Sequence, residues 1–373
     1  MTSPRPLLVF ADDWGRHPSS CQHLVRELLP TRAVVWVNTI GTRPPRLDLS
    51  TLRRAAGKLR TWGGAKPAEA SEPGPRVVSP KMWPSFRSAF GRRLNRSLLL
   101  KSLAPVVAGM PQAPVAITTL PLVADLVGRL KVHAWLYYRV DDFSVWPGYD
   151  GATMLRMERE LLPKVQSVVA VSETLQADLG RPSHLLTHGV NPSHWRAEPS
   201  TDFAELEPPI VLFWGVIDRR MDLSFVRATA KAMPAGTLVF VGPREDPDPE
   251  LFRIPRVVAR PPAAFAKLPG LAAAAQVLIM PYADLPVTRA MQPLKMKEYL
   301  ATGKPVVVRD LPATRPWADA LDVCATADAF ALKVVSRRAG IPLEQQLARR
   351  RLDAESWHAK AALFASWIAE IEA

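Results

Sequence analysis

The chain has 373 residues, of which 48% are hydrophobic and 22% are charged. This is the composition of a globular protein, and the length is sufficient for two domains that each bury a core. No apolar run approaches the roughly 20 residues that a membrane span needs. The first residues predict a short strand rather than a signal peptide. The two cysteines, Cys21 and Cys324, have no spacing typical of a disulfide framework or a metal site. We therefore expect a cytoplasmic protein.

The net charge of +13 is distributed unevenly along the chain. Between Arg53 and Arg96 there are eleven basic residues and two acidic ones. A basic stretch of this kind predicts an anionic partner, either a membrane surface or an acidic or lipid-diphosphate acceptor. Nucleic acid is not expected, because the stretch interleaves few aromatic residues beyond Trp62 and Trp83. We predict a peripheral position at the inner face of the membrane.

The N-terminal region predicts a strand at 7–10, a helix at 22–29 and a second strand at 33–38. In such a βαβ unit the loop at the carboxyl end of the first strand is the functional one. Gly15 in this loop permits a ligand to approach the backbone closely, although the loop is not a GxGxxG motif. His17 is a candidate for the ligand-binding cleft, and the alternative is that it hydrogen-bonds its own loop.

A basic amphipathic helix is predicted next, after a Pro/Gly-rich basic loop at 42–81. Phe86, Phe90, Leu94 and Leu98 recur every four residues, and arginines occupy much of the remaining surface. Such a stripe packs against its own domain or lies on an anionic membrane. We favour packing for the stripe and regard the basic loop as the better membrane candidate.

Two aspartates follow the predicted strand at 134–138. Asp141 and Asp142 lie at the carboxyl end of this strand, where a carboxylate can orient or deprotonate an acceptor hydroxyl. The alternative is a capping aspartate, or one that is ion-paired with Arg139. We favour a functional role for one of the two, and Asp142 is preferred.

A second α/β pattern begins after an acidic, proline-containing stretch at 197–209, which predicts the linker. The strand at 210–214 ends at Gly215, and Arg219 and Arg220 follow. Guanidinium groups bind phosphate through paired hydrogen bonds, so these arginines are candidates for a diphosphate site. The alternative is that one pairs with a neighbouring aspartate. The Asp246-Pro247-Asp248 segment is interpreted as a solvated loop and not as a metal site.

The stretch 292–307, QPLKMKEYLATGKPVV, predicts a helix followed by a buried strand. Pro293 and Leu294 open the helix and Gly303 ends it. A helix N-terminus favours phosphate, and Glu298 one turn further along suits a diol. The alternative is an ordinary helix–strand unit in which Glu298 is solvated.

Several strings in the sequence resemble a known family. The pattern P-L-x-x-x-E-Y-L-A-x-G-K-P-V-V resembles the second half of the E-x7-E region of GT-B glycosyltransferases of the group 1/family 4 kind. The string W-G-R-H-P-S-S-x-Q-H-L resembles the opening of bacterial surface-polysaccharide glycosyltransferases of the teichuronic-acid and exopolysaccharide type. The strings VVAVSETL and THGVN resemble the end of the GT-B N-terminal domain.

This resemblance implies an α/β GT-B fold of two Rossmann-like domains facing a cleft. Residues 1–200 would form the acceptor-side domain and residues 201–353 the donor domain, with a C-terminal helix at 354–373 crossing back to the first. Glu298 corresponds to the second Glu of the motif, which holds the ribose. The first Glu corresponds to Ala290, so Thr288, Arg289 or Gln292 would hold the sugar.

The resemblance also implies a set of site residues. The donor would be held by residues of the second domain, namely Gly215, Arg219, Arg220, Gln292, Pro293, Leu294, Lys295 and Glu298. Asp142 and His17 are the catalytic candidates. Gly15, Asp141 and His188 are the candidates for the acceptor side of the cleft.

The predicted reaction is transfer of a sugar from a nucleoside diphosphate sugar to a hydroxyl of a polysaccharide or lipid-linked acceptor. Retention of configuration follows from the resemblance. The nucleotide-sugar is a co-substrate, and neither a cofactor nor a metal is expected. Two alternatives are a nucleotide-sugar epimerase of the same fold and a non-catalytic protein that binds a glycan or a partner.

Overall fold

The computed structural model describes residues 4–16, 18–39 and 74–373. His17 and the part of the predicted basic loop that spans 42–73 lie outside the described residues. The chain forms two compact units. The first consists of Met1–Val171, Leu179–Leu185 and Ala361–Ala373, and the second of Ser172–Asp178 and Leu186–Lys360.

The first unit contains a seven-stranded sheet in which every strand pair is parallel. Its strands are β1 (Leu7–Ala11), β2 (Val34–Asn38), β3 (Arg76–Val78), β4 (Val115–Thr118), β5 (Ala134–Arg139), β6 (Ser167–Ala170) and β7 (His184–Leu185), in the order β3-β2-β1-β4-β5-β6-β7. Its helices are Ser20–Leu28, Ala89–Ala108 and Gly151–Leu161. Apolar strands such as β1 are buried along their whole length, as parallel strands covered by helices must be.

The second unit contains a six-stranded parallel sheet. Its strands are β8 (Ile210–Trp214), β9 (Thr237–Val241), β10 (Val257–Arg260), β11 (Val277–Met280), β12 (Val306–Arg309) and β13 (Asp322–Cys324), in the order β10-β9-β8-β11-β12-β13. Its helices are Glu173–Ala177, Leu223–Ala232, Leu268–Ala274, Pro286–Ala290, Leu294–Ala301, Ala327–Ser336 and Leu343–Ala348. The predicted α/β class with two Rossmann-like sheets is confirmed.

Each sheet has one point at which the strand order reverses. This point lies between β1 and β4 in the first unit and between β8 and β11 in the second. The loops that leave two such strands run in opposite directions and open a crevice at their carboxyl ends, where ligands of open α/β sheets bind. The loops after β1, β4, β8 and β11 are therefore the candidates for ligand binding.

The C-terminal helix (Trp357–Glu370) begins in the second unit, and from Ala361 onward the chain belongs to the first. Within the first unit, Phe364 packs on Tyr138 with ring centroids 5.3 Å apart, and Trp367 stacks on His184 at 4.4 Å. The predicted return of this helix to the first domain is therefore confirmed, and its broad apolar face supplies the contacts.

The stretch 197–209, predicted as the linker, packs within the second unit. The amide of Ser200 donates to the carbonyl of Gly270 at 2.9 Å. Just before the stretch, Trp195 stacks on Trp214 with centroids 5.4 Å apart. The chain passes between the units earlier, around 171–186, because these contacts tie the acidic stretch to the second core.

The basic helix (Ala89–Ala108) is shifted relative to the predicted stripe. Its buried residues are Gly91, Asn95, Leu99, Leu103 and Val107. Phe86 is buried before the helix begins, whereas Phe90 is 73% exposed. Ser88 caps the helix by accepting from the amide of Gly91 at 3.0 Å, so Phe86 lies before it. The buried face carries Asn95, whose side chain accepts from the amide of Trp83 at 2.6 Å and donates to the carbonyls of Trp83 and Ser85. Within the described part of the chain, none of the helices has the length and apolarity that a membrane span requires.

Candidate functional site

The helix Leu294–Ala301, here called the motif helix, begins and ends as predicted from its sequence. Pro293 is its N-cap residue and no side chain caps it. Gly303 follows its end with a φ of +74°, in the left-handed region that glycine adopts without strain. The amide of Met296 donates to the Pro293 carbonyl at 3.2 Å. The amides of Leu294 and Lys295 have no partner among the described residues and are available to an external acceptor such as phosphate.

Lys295 lies at the crevice of the second sheet. Its Nζ donates to the hydroxyl of Tyr282 at 2.7 Å and lies 4.3 Å from the centre of the Phe213 ring. A Cβ added to Gly215 would lie 2.1 Å from this Nζ, so the ammonium occupies the space that the glycine leaves. Gly215 directly follows β8 and Tyr282 is the second residue after β11, so the reversal of strand order brings these residues together. The result is a cation at the carboxyl edge of the sheet, beside an open helix N-terminus.

Glu298 lies one turn along the motif helix and is half-buried. Burial raises the pKa of Glu298 to about 7, while the neighbouring Trp214 side chain and the Lys295 ammonium offset part of this rise. Trp214 is held in turn by Tyr299, because its amide donates to the Tyr299 hydroxyl at 3.1 Å and the two rings lie 4.1 Å apart. The carboxylate therefore has a fixed environment in which its charge is costly, which is typical of a binding or catalytic carboxylate.

The two candidate arginines occupy different environments. The side chain of Arg220 is 7% exposed and pairs with buried Asp218, with Nη2 and Oδ2 2.8 Å apart. The side chain of Arg219 is 58% exposed, and its Nη2 lies 3.7 Å from Asp246 Oδ1. The alternative of an ion pair with a neighbouring aspartate therefore describes Arg220. Arg219 is exposed, and its role at a diphosphate stays a prediction.

Ala290, at the position of the first Glu, is buried at the end of the helix Pro286–Ala290, and its carbonyl accepts from the Ser172 hydroxyl at 2.8 Å. Three residues are predicted to hold the sugar in place of the missing first Glu. Of these, Thr288 is buried, and its hydroxyl accepts from the amide of Leu285 at 2.9 Å. Arg289 pairs with Asp284 at 2.5 Å. Gln292, which directly precedes Pro293, is buried, and its side chain has no hydrogen-bond partner among the described residues.

A cavity of about 360 Å³ lies at the carboxyl ends of β9 and β10. It is lined by Gly242, Pro243, Arg244, Ala259, Arg260, Pro261 and Pro262. Gly242 packs directly against the loop after β8, because a Cβ at Gly242 would lie 1.9 Å from the carbonyl oxygen of Gly215. The cavity and the Lys295 cluster are therefore adjacent parts of one sheet edge.

His188 belongs to the second unit and is buried. Its ring lies 6.4 Å from that of Trp357, and its carbonyl accepts a hydrogen bond from Lys297. These contacts hold the turn of His188 and Gly189 within the protein. The acceptor-side role of His188 stays a prediction.

In the first unit, Asp142 Oδ1 accepts from the amide of Ser144 at 2.9 Å and from its hydroxyl at 2.5 Å. These are the bonds of a turn-capping aspartate. Arg139 pairs with Glu158 at 2.9 Å, and the charge of Asp142 also acts to raise the pKa of Arg139, in keeping with the alternative of an aspartate paired with this arginine. Gly15 has a φ of +76° with open space around it, as close approach of a ligand requires. Catalytic roles for Asp142 and His17 remain predictions, as does an acceptor-side role for Asp141.

Two residues of the site were not among the candidates. Tyr282 contacts the Lys295 ammonium, and Trp214 adjoins Glu298. Both lie at the carboxyl end of a strand at the reversal point, which is the signal that identifies them. In the Asp246-Pro247-Asp248 segment, Asp246 lies 3.7 Å from Arg219 and Asp248 accepts from the amide of Glu250 at 3.0 Å, and the absence of a metal requirement stays a prediction.

No protein-family model matches the chain. Among curated proteins, it is 30% identical over 172 residues to the "Putative teichuronic acid biosynthesis glycosyltransferase TuaH" of Bacillus subtilis. The alignment covers 42% of this chain and 43% of that protein, so the chain spans less than half the length of this relative.

Solved structures match over nearly the whole chain. Sucrose-phosphate synthase of Thermosynechococcus elongatus has a TM-score of 0.72 at 17% identity, covering 98% of this chain and 99% of that one. HepE of Anabaena, in complex with UDP and glucose, has a TM-score of 0.67 at 13% identity and the same coverage. A trehalose-6-phosphate structure of Escherichia coli, bound with UDP-2-fluoro glucose, has a TM-score of 0.65 at 12% identity, covering 97% and 98%. The predicted GT-B fold is confirmed.

Proposed function

We propose that the protein transfers a sugar from a nucleoside diphosphate sugar to a hydroxyl group of a polysaccharide or lipid-linked glycan, with retention of configuration. The observation that carries the proposal is the cluster of Lys295, Gly215 and Tyr282 at the reversal point of the second sheet. It supplies a cation beside the first two amides of the motif helix, and a diphosphate requires both kinds of group. The fold is that of structures that contain UDP or a UDP-sugar.

The donor is divided among three parts of this sheet edge. The diphosphate lies against Lys295 and the start of the motif helix, with Arg219 reaching it from the loop after β8. The ribose diol donates to Glu298. The nucleoside base occupies the cavity of about 360 Å³ beyond Gly242. Gln292 is then the residue that faces the sugar in place of the missing first Glu.

Catalysis follows from the charge that develops on the diphosphate as the bond to the sugar breaks. Cations and amides already aimed at that charge stabilise it in the transition state more than in the ground state. Because Lys295 and Arg219 supply this positive charge from the protein, the proposal requires neither a metal nor another cofactor. Transfer that is abolished by EDTA and restored by Mg²⁺ would contradict this part.

The proposal is tested by titrating UDP, GDP and ADP into the purified protein to measure binding. A panel of the corresponding nucleotide-sugars then shows whether the diphosphate is released. Lys295→Met should weaken binding of the preferred diphosphate about tenfold and slow its release from the sugar about 100-fold. Lys304→Met is the matched control, because Lys304 Nζ donates to the Ala273 carbonyl at 2.6 Å and is outside the cluster. No nucleotide binding by the wild-type chain would refute the proposal.

The alternatives separate in the same assay. An epimerase converts the nucleotide-sugar without releasing the diphosphate, and a non-catalytic binding protein leaves it unchanged. A glycosyltransferase releases the diphosphate in proportion to the glycoside formed, or to free sugar when water is the acceptor. Anomeric configuration of the glycoside, determined by NMR, decides between retention and inversion.

We propose further that the start of the basic helix and the segment before it, from Trp83 to Phe90, place the first unit on an anionic membrane. Phe90 and Trp83 are among the most exposed large apolar side chains, at 73% and 50%. The side chain of Arg87 near them is 73% exposed. Exposed aromatic residues beside arginines are typical of surfaces that contact lipid headgroups. Phe90→Ser should reduce sedimentation with phosphatidylglycerol vesicles and not with phosphatidylcholine vesicles. Equal binding to both lipids would contradict an electrostatic contact.

A further inference from the structure

The carboxyl end of β1 carries a second polar site, formed by residues of the first unit alone. Asp12 directly follows β1 at the point where the strand order reverses. In the second unit, the equivalent point is occupied by Gly215 and Tyr282. Because open parallel sheets bind ligands at this crevice, Asp12 has the position of a ligand-binding side chain.

The side chain of Gln22 fixes the loop that carries Asp12 through hydrogen bonds. This side chain, 1% exposed, projects from the helix Ser20–Leu28. Its Nε2 donates to Asp12 Oδ2 and to the carbonyl of Asp13, both at 3.3 Å, and its Oε1 accepts from the amide of Gly15 at 3.1 Å. A buried amide whose donors and acceptor are all engaged selects one conformation of the loop.

Two further contacts complete the support for the loop. The indole Nε1 of Trp36 donates to the Asp12 carbonyl at 2.8 Å, and the amide of Trp14 donates to Asn38 Oδ1 at 3.0 Å. The loop is therefore anchored to β2 as well as to the helix. Its geometry is set before any ligand binds, which lowers the entropy cost of binding.

The outer side of Asp12 is open to solvent. Among the described residues, its carboxylate accepts two long side-chain hydrogen bonds, from Gln22 and from the Ser19 hydroxyl at 3.3 Å, and one from its own backbone amide. An ionised carboxylate accepts about four. No described residue lies within 4 Å of the position that a Cβ would take at Gly15. Desolvation by the surrounding protein raises the pKa of Asp12 to about 6, against the effect of these hydrogen bonds. The carboxylate thus retains acceptor capacity toward the crevice.

We propose that Asp12 binds a hydroxyl group of the sugar acceptor. A carboxylate accepts hydrogen bonds from hydroxyl groups and repels phosphate, so the site fits the carbohydrate part of a glycan and not a diphosphate. The proposal rests on the glycosyltransferase function proposed above and adds the residue that recognises the second substrate. Asp12 is thereby a specificity-determining residue of the first unit.

The test measures binding of octyl β-D-glucoside, octyl β-D-galactoside and octyl N-acetyl-β-D-glucosaminide by saturation-transfer NMR, with and without UDP. The wild-type chain should bind at least one of the three. Asp12→Asn should weaken that binding about tenfold or more, since it replaces an acceptor oxygen by a donor. Asp13→Asn is the matched control, because Asp13 carries the same charge one residue away and pairs with exposed Arg16 at 3.5 Å.

UDP affinity, measured on the same samples, should be unchanged within twofold in both variants. The role of Asp12 would be overturned if the wild-type and Asp12→Asn proteins bound the glycosides equally, or if neither bound any of the three. Either result would leave the proposed donor site intact. If the wild-type chain does not bind UDP, the proposed function is refuted instead. If Asp12→Asn unfolds, Asp12→Ser, which keeps an oxygen for the Gln22 amide, must show the same loss of glycoside binding.

Discussion

The ammonium of Lys297 and the carboxylate of Glu355 form an ion pair inside the second unit, and the Lys297 side chain is only 2% exposed. The same ammonium donates to the Thr187 hydroxyl at 3.1 Å and to the carbonyl of His188. The amide of Val190 in turn donates to the Glu355 carbonyl at 2.9 Å. The residue before Glu298 therefore ties the motif helix to this turn and to the start of the C-terminal helix.

This network predicts strong coupling between the two charges. Lys297→Met should lower the free energy of unfolding by about 1–3 kcal/mol, because it leaves buried acceptors without a donor. Combined with Glu355→Gln, the effects should be non-additive by about 1 kcal/mol or more in urea denaturation. Lys360→Met is the control: Lys360 contacts Glu355 at 2.6 Å from a more exposed position, and its removal should cost less. Additive effects of Lys297 and Glu355 would show that the pair contributes nothing.

Gly215 is predicted to be required for nucleotide binding through the space it leaves for Lys295. Gly215→Ala places a Cβ where the Lys295 ammonium lies, at a φ of +132°. UDP affinity should fall about tenfold as the ammonium is displaced from Tyr282. Gly128→Ala, at a φ of +76° with open space around it, is the control for backbone strain alone. It should cost about 1–2 kcal/mol of stability and leave UDP affinity unchanged. Equal affinities in the two variants would contradict the contact.

The motif helix and its end at Gly303 were predictable because their signals are local. Proline at a helix start and glycine beyond a helix end act through the backbone conformation of single residues. The two sheets were predictable for a similar reason, since short apolar strands alternate with helical patterns. The role of Lys295 at the donor site was predictable from the resemblance, whereas its contact with Gly215 is seen only in the structure.

The remaining site residues depend on contacts between distant segments. Arg219 and Arg220 are equivalent in sequence, and only the packing of the loop after β8 buries one of them against Asp218. Tyr282 and Asp12 are the first polar side chains beyond β11 and β1, and their importance follows from the strand order. A single sequence contains the strands and does not contain the order in which they pair.

Arg219 and Arg220 are predicted to differ in what their removal changes. Arg219→Ala should weaken UDP binding about tenfold with no change in melting temperature, because the guanidinium is exposed and a diphosphate can reach it. Arg220→Ala should lower the free energy of unfolding by about 3–5 kcal/mol, because Asp218 is then a buried charge without a partner. Calorimetry with UDP and thermal denaturation of both variants check this. Destabilisation by the Arg219 variant, or its normal UDP affinity, would contradict the assignment.

Glu298 is predicted to make the protein less stable as the pH rises toward neutrality. Its folded-state pKa of about 7 lies above the ordinary value of 4.5. Between these two pH values the folded state binds more protons than the unfolded state, so the free energy of unfolding falls as the pH increases. Glu298→Gln should therefore melt at a higher temperature than the wild type at pH 8 and at the same temperature at pH 5, while it weakens UDP binding at pH 8.

Glu355→Gln is the control of opposite sign for this pH dependence. Burial acts to raise the pKa of Glu355, but the ion pair and hydrogen bonds with Lys297 and Lys360 outweigh it and hold the pKa below the usual value. The charged form of Glu355 therefore stabilises the protein above the ordinary carboxyl pKa, and this contribution is lost as the pH falls through the folded-state value. Glu355→Gln should melt below the wild type at pH 8, and the difference should shrink only in acid. A Glu298→Gln variant that is destabilised at pH 8 in the same way would show that the Glu298 carboxylate is stabilised in place, and that its pKa is not raised.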